Sequence, residues 1–245
     1  MNAGSKGPSG QGAIEPPEAV QQMFDRIVPR YDLMNKVMTG GMDRRWRGLA
    51  VKAALESHPK RALDVATGTG DFAVALAEAK IPEVIGLDFS AGMIAAAREK
   101  TARYPQITLI QGNAMALPFN DGEFDSLTVG FGLRNMPDYQ QALDEMVRVV
   151  RPEGRVVILE MTPLPPSLFA RIFDPYFRHV VPVIGGLLTG DRSAYRYLPE
   201  SVANFPDSGK LKRMLTIAGC SRVSVRLLGG GTVALHTGEV GRRRA

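Results

Sequence analysis

The chain has little cysteine, little histidine and no long apolar run. Its single cysteine, Cys220, excludes an internal disulfide and favours a reducing compartment such as the cytoplasm. The three histidines, His58, His179 and His236, are far apart in sequence and show no paired spacing, so we expect no metal site. No apolar segment approaches the ~20 residues that a transmembrane helix needs.

The charge balance is basic, with a formal net charge of +5. Part of the excess lies in the predicted basic tail, residues 241–245, which is either a solvated end or an anion-binding segment. No aromatic and basic pattern of an RNA-binding module is present, so we expect no nucleic-acid partner. Residues 1–17 are rich in Gly, Ser and Pro and lack the apolar centre of a signal peptide, so we expect a disordered tail.

Residues 18–240 are predicted to form one α/β domain that begins with a helical cap over 18–57. Apolar residues recur at helical spacing up to Met38, Pro29 divides them, and Gly40-Gly41 ends the first part. Asp43 is the predicted N-cap of the next helix, Arg44–Ser57. Strands and helices then alternate, which predicts a parallel sheet with helices on both faces. We expect strands over 61–66, 84–88, 107–111, 126–130 and 155–160, and helices over 71–79, 91–104 (with Ser90 as N-cap) and 139–150.

The C-terminal part follows a different pattern. After a helix predicted over 209–218, two β-rich runs, 222–228 and 232–237, flank three glycines and predict an antiparallel hairpin. By analogy between folds, this ending favours a methyltransferase architecture over a plain dinucleotide-binding one. Residues 163–205 are long, Pro-rich and apolar, and we interpret them as an insertion with a functional role.

A glycine-rich turn follows the first strand. Gly68 and Gly70 allow the backbone to turn tightly and approach a ligand. Asp88 ends the second strand, where a carboxylate can accept both hydroxyls of a ribose. The alternative is that Asp88 is a surface N-cap. The pattern therefore predicts a cofactor that contains a nucleoside.

Two cofactors fit the turn, NAD and S-adenosylmethionine. The spacing Gly-x-Gly-x-x-Ala with Asp88 matches the dinucleotide fingerprint loosely. However, Asp71 at the start of the following helix would repel a pyrophosphate and suits the ammonium of S-adenosylmethionine. Asn113, after the third strand, could accept from an adenine amino group while the amide of Ala114 donates to a ring nitrogen. The alternative for Asn113 is a turn residue.

These residues resemble the C-methyltransferases of ubiquinone and menaquinone biosynthesis from about Met23 to Val240. The segments specific to that family are Tyr31-Asp32-Leu33-Met34-Asn35 and Gly132-Leu133-Arg134-Asn135. The resemblance implies a class I methyltransferase fold, Rossmann-like, with a seven-stranded sheet closed by the C-terminal hairpin. It also implies S-adenosylmethionine as cofactor. The cofactor contacts that it implies are Thr69, Asp88, Asn113 and Ala114, around the turn of Gly68 and Gly70.

The reaction implied by the resemblance is C-methylation of a prenylated quinol. Ubiquinone-type members carry Ser at the position of Gly130, so the glycine favours demethylmenaquinol. The methoxy-benzoquinol precursor of ubiquinone, or both substrates, is the alternative, and an NAD-dependent oxidoreductase is a more distant one. Ala66 replaces the first glycine of the class pattern, a departure that its small size makes tolerable.

Arg134 and Asn135 follow the fourth strand, at the sheet edge where ligands bind. We expect Arg134 to stabilise a phenolate and Asn135 to position a water that takes the proton. The alternative for Arg134 is a salt bridge to the cap helices. Further candidates for the substrate pocket are Tyr31, Asp32, Asp191 and Tyr195, with simple packing as the alternative for the tyrosines.

The apolar residues of Leu168–Leu188 are expected to line a channel for the prenyl tail or to lie in a membrane interface. A dimer interface or a core lid is the alternative. We therefore expect a cytoplasmic protein with peripheral contact at the inner face of the membrane, and a homodimer is left open.

Overall fold

The computed structural model describes residues 12–165, 168–181, 183 and 192–242. Its centre is a seven-stranded sheet in the order β3-β2-β1-β4-β5-β7-β6. Strands β1 to β5 are parallel, whereas β7 runs antiparallel to both β5 and β6. The strands are β1 Arg61–Val65, β2 Glu83–Asp88, β3 Ile107–Gln111, β4 Phe124–Gly130, β5 Val150–Met161, β6 Cys220–Leu228 and β7 Val233–Val240.

Helices surround this sheet and form a cap beyond its carboxyl edge. The α-helices are α1 Pro17–Ile27, α2 Tyr31–Thr39, α3 Asp43–Ala54, α4 Asp71–Glu78, α5 Ala91–Thr101, α6 Tyr139–Val149, α7 Leu168–Pro175, α8 Arg192–Asn204 and α9 Ser208–Ile217. Short 3₁₀ turns lie at Val28–Arg30, Leu55–Ser57, Leu133–Asn135 and Gly229–Gly231, and a π-helical turn spans Tyr176–Val180.

The sequence predicted the parallel strands and the C-terminal hairpin, and both are confirmed. Ser90 caps α5 as expected, since its Oγ accepts from the Met93 amide at 2.9 Å. The prediction for Asp43 is wrong, because Met42 occupies the N-cap position and Asp43 is the first residue of α3. Its carboxylate instead accepts from Thr39 Oγ1 and Arg47, both at 2.9 Å, which joins α2 to α3.

The core lies on both faces of the sheet. On one face, α6 and α9 cover the central strands with fully buried side chains such as Tyr139 and Leu215. On the other face, α3 and α4 contribute Trp46, Phe72 and Leu76. Together these layers fix the carboxyl ends of β1, β2 and β4 beside one another, where a ligand site is expected.

The helices of the predicted insertion pack on the N-terminal cap. Tyr197 of α8 packs with Met23 and Met34 of the cap. Phe177 and Leu198 form a neighbouring cluster that Met38 also contacts. Residues 184–191 lie outside the described part of the chain. The insertion and the cap therefore build one helical layer above the sheet edge.

The described chain begins within the predicted N-terminal tail. The Ala13 amide donates to the Met136 carbonyl at 2.8 Å, and α1 already begins at Pro17. The last residues of that segment are thus packed against the body of the protein. Residues 1–11 and 243–245, which include most of both predicted tails, lie outside the described residues. Among the described helices, none is long and apolar enough to cross a membrane.

Candidate active site

The glycine-rich turn after β1 forms the floor of a cleft at the carboxyl edge of the sheet. Gly68 and Gly70 adopt left-handed backbone conformations, with φ of 56° and 88°. Such values are readily available only to glycine. Ala66 is also left-handed, with φ of 53°, so the departure from glycine noted in the sequence carries backbone strain.

Asp88 connects β2 to this turn. Its Oδ2 accepts from the Gly68 amide at 2.8 Å and its Oδ1 from the Ser90 amide at 2.9 Å. Burial raises the pKa of Asp88, and the two backbone donors counteract part of that effect. The carboxylate therefore shapes the turn, and it also lines the cleft. Because a carboxylate has about four acceptor sites, it can accept further hydrogen bonds from a ligand.

Two more predicted contact residues, Asn113 and Ala114, line the opposite wall. Asn113 Oδ1 accepts from the Met115 amide at 2.9 Å, which is the turn role considered as its alternative. Asn113 is nevertheless exposed and, like Ala114, lines the cleft, so both residues are within reach of a ligand there.

Asp64, which precedes the turn, is fully enclosed. Its carboxylate accepts from Thr67 Oγ1 at 2.6 Å and from Thr128 Oγ1 at 2.7 Å. Burial raises its pKa to about 7, although both hydroxyl donors lower it. Asp64 thus orients the loop by tying it to β4.

Thr69 and Asp71 point away from the cleft into an ion-pair network. Thr69 Oγ1 donates to Asp32 at 2.6 Å and accepts from Lys100 Nζ at 2.9 Å. Lys100 also lies 2.6 Å from both Asp32 and Asp71, and Arg47 lies 2.9 Å from Asp71. Burial raises the pKa of Asp71, but the charges of Arg47 and Lys100 outweigh this and lower it. Because Arg47 also pairs with Asp43 and Lys100 with Asp32, this network holds three carboxylates and two cations, and the expectation that Asp71 disfavours a pyrophosphate stays a prediction.

The cleft encloses about 900 Å³ of empty space, part of it open to solvent. Asp88 is the one acidic side chain among the described lining residues, and those residues include no Lys, Arg or His. The cleft is therefore suited to a ligand with hydroxyl and amino groups rather than to a polyanion.

A second cavity of about 1330 Å³ lies between the cap and the insertion. It is strongly apolar and rich in methionine, whose flexible thioether adapts to irregular hydrophobic ligands. Its charged lining residues among the described ones are Asp43, Arg47 and Arg134. Its methionine and aromatic lining consists of Met23, Met34, Met38, Met42, Met161, Phe24, Tyr31, Trp46, Phe131, Phe173, Tyr176, Phe177 and Tyr197.

Arg134 is buried at this cavity and paired with Glu160. Its Nη1 lies 2.7 Å from Glu160 Oε1 and 2.5 Å from the Phe131 carbonyl oxygen. Its Nε is buried and has no hydrogen-bond partner among the described residues. Burial lowers the pKa of Arg134, but the Glu160 charge more than compensates and raises it. A salt bridge to the cap was the alternative for Arg134, but the partner belongs to β5.

Asn135 faces the other way. Among the two cavities, it lines the cleft over the glycine-rich turn rather than the apolar cavity. Its Oδ1 accepts from the Tyr197 hydroxyl at 3.1 Å, and its Nδ2 lies 3.5 Å from the Phe131 carbonyl. The two predicted catalytic residues are therefore adjacent in the chain but line different cavities.

Tyr31 is the predicted pocket residue with the most central position, since it lines both cavities. Burial raises its pKa, while a hydrogen bond with Asn35 and the Arg134 charge lower it. Asp32 belongs to the Lys100 network described above. Asp191 and the side chain of Tyr195 lie outside the described residues, so their predicted roles stay predictions.

Sequence reasoning missed Glu160, Tyr197 and Phe131. A signal existed for Glu160, because it stands at the carboxyl end of β5, next to the end of β4, and a buried acid there requires a partner. Tyr197 lies in a segment, Tyr195–Ser201, that shares the family resemblance but was given no site role, and no signal indicated the orientation of Phe131.

The strand order, the single antiparallel strand β7 beside β5, and the cleft over the turn after β1 define a class I methyltransferase fold. Solved structures share this architecture. A SAM-dependent methyltransferase from Thermotoga maritima aligns with a TM-score of 0.63 and 20% identity, over 90% of this chain and 99% of that one. The [4+2]-cyclase SpnF aligns with a TM-score of 0.71 and 17% identity, over 94% and 99%. A cyclase on this fold means that the fold alone does not fix the reaction.

The chain belongs to the ubiE/COQ5 methyltransferase family, whose sequence model matches residues 14–240. It is 49% identical to the demethylmenaquinone methyltransferase of Thermus thermophilus, over 89% of this chain and 99% of that protein. It is 46% identical to the enzyme of the same name from Deinococcus radiodurans, over 91% and 92%. The ubiquinone/menaquinone biosynthesis C-methyltransferase UbiE of Geobacter sulfurreducens is 44% identical, over 91% and 89%. The family resemblance and the methyltransferase class predicted from the sequence are confirmed.

Proposed function

We propose that this enzyme uses S-adenosylmethionine to methylate a ring carbon of a prenylated quinol, with demethylmenaquinol as its substrate. The observation that carries the proposal is the meeting of two unlike cavities. Phe24, Tyr31 and Phe131 line both the polar cleft and the methionine-rich cavity. A methyl group can pass between ligands only where their sites adjoin.

The cleft suits S-adenosylmethionine in its hydrogen-bonding groups and in the open backbone at Gly68. A Cβ at Gly68 would meet only Tyr31 Cε1, at 3.9 Å, so the backbone is open to close approach by a ligand. Asp88 would hold the ribose, and Asn113 with Ala114 would hold the adenine. Gly70 would support the turn, and Thr69 would contribute through its backbone, because its hydroxyl is engaged elsewhere. When bound, the cofactor supplies an activated methyl group.

The more distant alternative, an NAD-dependent oxidoreductase, is disfavoured by the sheet. The doubly wound dinucleotide-binding fold consists of parallel strands in the order 3-2-1-4-5-6. Here β7 is inserted antiparallel between β5 and β6. Together with membership of a methyltransferase family, this arrangement supports methyl transfer.

The residues around Arg134 are suited to activating a quinol. A ring carbon becomes nucleophilic when a neighbouring hydroxyl loses its proton, because the oxyanion donates electron density to the ring. The buried Nε of Arg134 has no hydrogen-bond partner among the described residues, Arg134 lines the apolar cavity, and a guanidinium in a low-dielectric site stabilises an oxyanion strongly. Glu160 keeps that guanidinium charged and oriented. The ring hydrogen leaves as a proton after the carbon–carbon bond forms.

Asn135 is proposed to position the water that accepts a proton. The Tyr197 hydroxyl donates to its Oδ1, which fixes the orientation of the amide and leaves Nδ2 directed towards the Phe131 carbonyl. The water would lie in the polar cleft, which Asn135 lines, rather than in the apolar cavity. This role is a proposal from position and hydrogen bonding.

The choice of demethylmenaquinol rests on Gly130 and on the relatives. A Cβ at Gly130 would lie 2.5 Å from Cε2 of Phe72, so this chain has no room for the serine of ubiquinone-type members. The Thermus and Deinococcus relatives are named demethylmenaquinone methyltransferases. The methoxy-benzoquinol precursor of ubiquinone is the second candidate, favoured by the family description, which covers both pathways.

The test is a competition followed by mass spectrometry. Purified enzyme receives S-adenosylmethionine and equal amounts of short-tail demethylmenaquinol and the methoxy-benzoquinol, both kept reduced. A one-methyl gain on the naphthoquinol alone supports the proposal, and a gain on both defines a dual-pathway enzyme. If neither quinol is methylated while S-adenosylmethionine binds, the proposed substrate class is wrong. An oxidised-quinone sample is the control, because a quinone lacks the hydroxyl that must ionise.

We further propose that the cytoplasmic enzyme collects its substrate at an anionic membrane surface. Met42 and Tyr176 line the apolar cavity and are exposed, so they mark its mouth. Exposed basic residues on the same cap helices match an anionic surface in charge. The other exposed residues of the cap and insertion that support this surface are Leu33, Val37, Val180 and Val183, with Lys36, Arg44 and Arg45.

Vesicle sedimentation distinguishes this surface from a dimer interface. We expect binding to phosphatidylcholine vesicles only when phosphatidylglycerol is present, and a loss of binding in Val37→Glu/Val180→Glu. Ile217→Glu is the matched control, because Ile217 is an exposed apolar residue of α9 outside the cap. If the double variant instead dissociates a dimer in light scattering and vesicle binding is absent, this surface is a homodimer interface.

A further inference from the structure

The wall between the two cavities is aromatic. Phe24 and Tyr31 pack edge to face, with ring centroids 6.1 Å apart and an interplanar angle of 72°. Phe131 completes the set of aromatic side chains that line both cavities. Building on the proposed function, we infer that this aromatic wall, Phe24, Tyr31 and Phe131, binds the positive charge of the cofactor's sulfonium group.

Among the described residues that line the cleft, Asp88 is the one charged side chain, so the aromatic rings are the groups left to stabilise the sulfonium. A sulfonium that delivers its methyl group to the apolar cavity must lie near the wall, away from the adenine end. Asp88, the acidic side chain of the described lining, is assigned to the ribose and already accepts two backbone amides. Glu160 is engaged by Arg134. A desolvated cation is then stabilised by the negative faces of aromatic rings.

Phe131 is placed at the wall by a strained backbone. Its φ of 58° is left-handed, which is a rare conformation for a bulky side chain. Its amide donates to the Leu159 carbonyl at 2.8 Å, and its own carbonyl accepts from Arg134. Gly132 closes the turn tightly, since a Cβ there would lie 2.5 Å from Ala66 Cβ. Such strain persists where the surroundings determine the conformation, and it is concentrated at functional sites.

The wall would favour the methyl donor over the spent cofactor. S-adenosylmethionine carries the sulfonium charge, whereas S-adenosylhomocysteine has a neutral sulfur and differs by one methyl group. Attraction to the rings therefore disappears when the methyl group leaves, which weakens the hold on the product. The prediction concerns the ratio of the two affinities rather than either affinity alone.

Calorimetric titration of each ligand into wild-type protein and variants tests this inference without turnover. We expect Phe24→Leu and Phe131→Leu each to lower the affinity for S-adenosylmethionine about 3- to 30-fold, the range for a partly to fully desolvated cation–π contact. Their affinity for S-adenosylhomocysteine should stay within about 2-fold of wild type, because leucine preserves apolar bulk. Binding of the neutral ligand also shows that each variant is folded.

Two controls sharpen the test. Tyr31→Phe keeps the ring and should keep the affinity ratio, whereas Tyr31→Leu should lower it. Phe89→Leu removes an aromatic residue that lines the cleft but not the apolar cavity, and it should affect both ligands equally.

Parallel losses for both ligands in the leucine variants of the wall overturn the inference and leave methyl transfer intact. If the wild-type protein binds neither ligand, the proposed cofactor fails and the inference fails with it. The quinol competition described above is independent of the variants, so the two failures are distinguishable.

Discussion

The buried Arg134–Glu160 pair makes the sharpest prediction, because stability and catalysis can be separated there. The side chains are 8% and 1% exposed, and their closest atoms are 2.7 Å apart. Glu160 also accepts from the Met161 amide at 2.8 Å. Glu160→Gln keeps the shape and one of the two acceptor oxygens but removes the negative charge, so Arg134 becomes a buried cation without a counterion.

Leaving one partner of a buried ion pair uncompensated costs about 3–5 kcal/mol. A domain of this size has a total stability of about 5–15 kcal/mol, so Glu160→Gln should remove a large share of it. With a shift of about 2–4 °C per kcal/mol, the melting temperature should fall by roughly 10 °C. Urea unfolding followed by circular dichroism measures the free energy of unfolding directly.

The double variant Arg134→Met/Glu160→Leu separates the two roles. Replacing both charges by apolar groups of similar volume is often neutral or stabilising, so we expect its free energy of unfolding to return to within about 1 kcal/mol of wild type. Methyl transfer should nevertheless stay about 10²–10³-fold below wild type, the usual effect of losing an oxyanion donor. Glu153→Gln is the control, because the Glu153–Arg242 pair is exposed and its loss should not change stability measurably.

Two results would refute this reasoning. A loss below about 1 kcal/mol in Glu160→Gln would mean that Arg134 is not held as an uncompensated buried cation. A double variant that methylates quinol at the wild-type rate would remove Arg134 from the mechanism, whatever its stability.

Three further predictions concern the floor of the site. Ala66→Gly should stabilise the protein by about 0.5–1 kcal/mol, because relief of a left-handed alanine exceeds the added chain entropy; an unchanged or lower urea midpoint contradicts this. Gly130→Ser should cost about 1–3 kcal/mol by overpacking against Phe72, and adding Phe72→Leu should recover most of it in the same assay. Burial raises the pKa of Asp64 to about 7, so the folded state holds a proton that the unfolded state releases near pH 4, and stability is lost as pH rises between these values. Relative to Asp64→Asn, the wild-type free energy of unfolding should therefore fall by up to about 1.4 kcal/mol per pH unit from pH 4 to 7, whereas a constant difference would refute the raised pKa.

Most of the fold could be predicted because local patterns and global packing agree. The alternation of apolar strands with helical segments gave the parallel sheet, and the glycines at 229–231 gave the hairpin. Strand ends were less accurate, since β5 begins at Val150 rather than at the predicted Arg155. Its first residues pair with β4 across a register shift, which has no period-two signal in the sequence.

The sequence predicts where the site lies but not how its side chains are oriented. Strand ends locate Asp88, Arg134 and Asn135 at one sheet edge, because the carboxyl ends of parallel strands meet there. Arg134 and Asn135 occupy a 3₁₀ turn, Leu133–Asn135, in which successive side chains diverge by about 120°. That divergence places Arg134 at the apolar cavity and Asn135 at the cleft, so two residues that are adjacent in the sequence have different roles.

Tertiary contacts also give some of the residues chosen from the sequence a different environment from the one expected. The charge argument from Asp71 depends on its surroundings, since Lys100 and Arg47 pair with it and also with Asp32 and Asp43, contacts that the sequence does not reveal. In Gly130-Phe131-Gly132, the residue with positive φ is the phenylalanine between the glycines. Sequence rules assign such a conformation to glycine, yet here the neighbours of Phe131 impose it and direct its ring to the boundary between the cavities. Phe131 therefore holds an unfavourable backbone conformation at the boundary where a cationic methyl donor and its neutral product can be distinguished. The ratio of the two ligand affinities in Phe131→Leu measures that distinction.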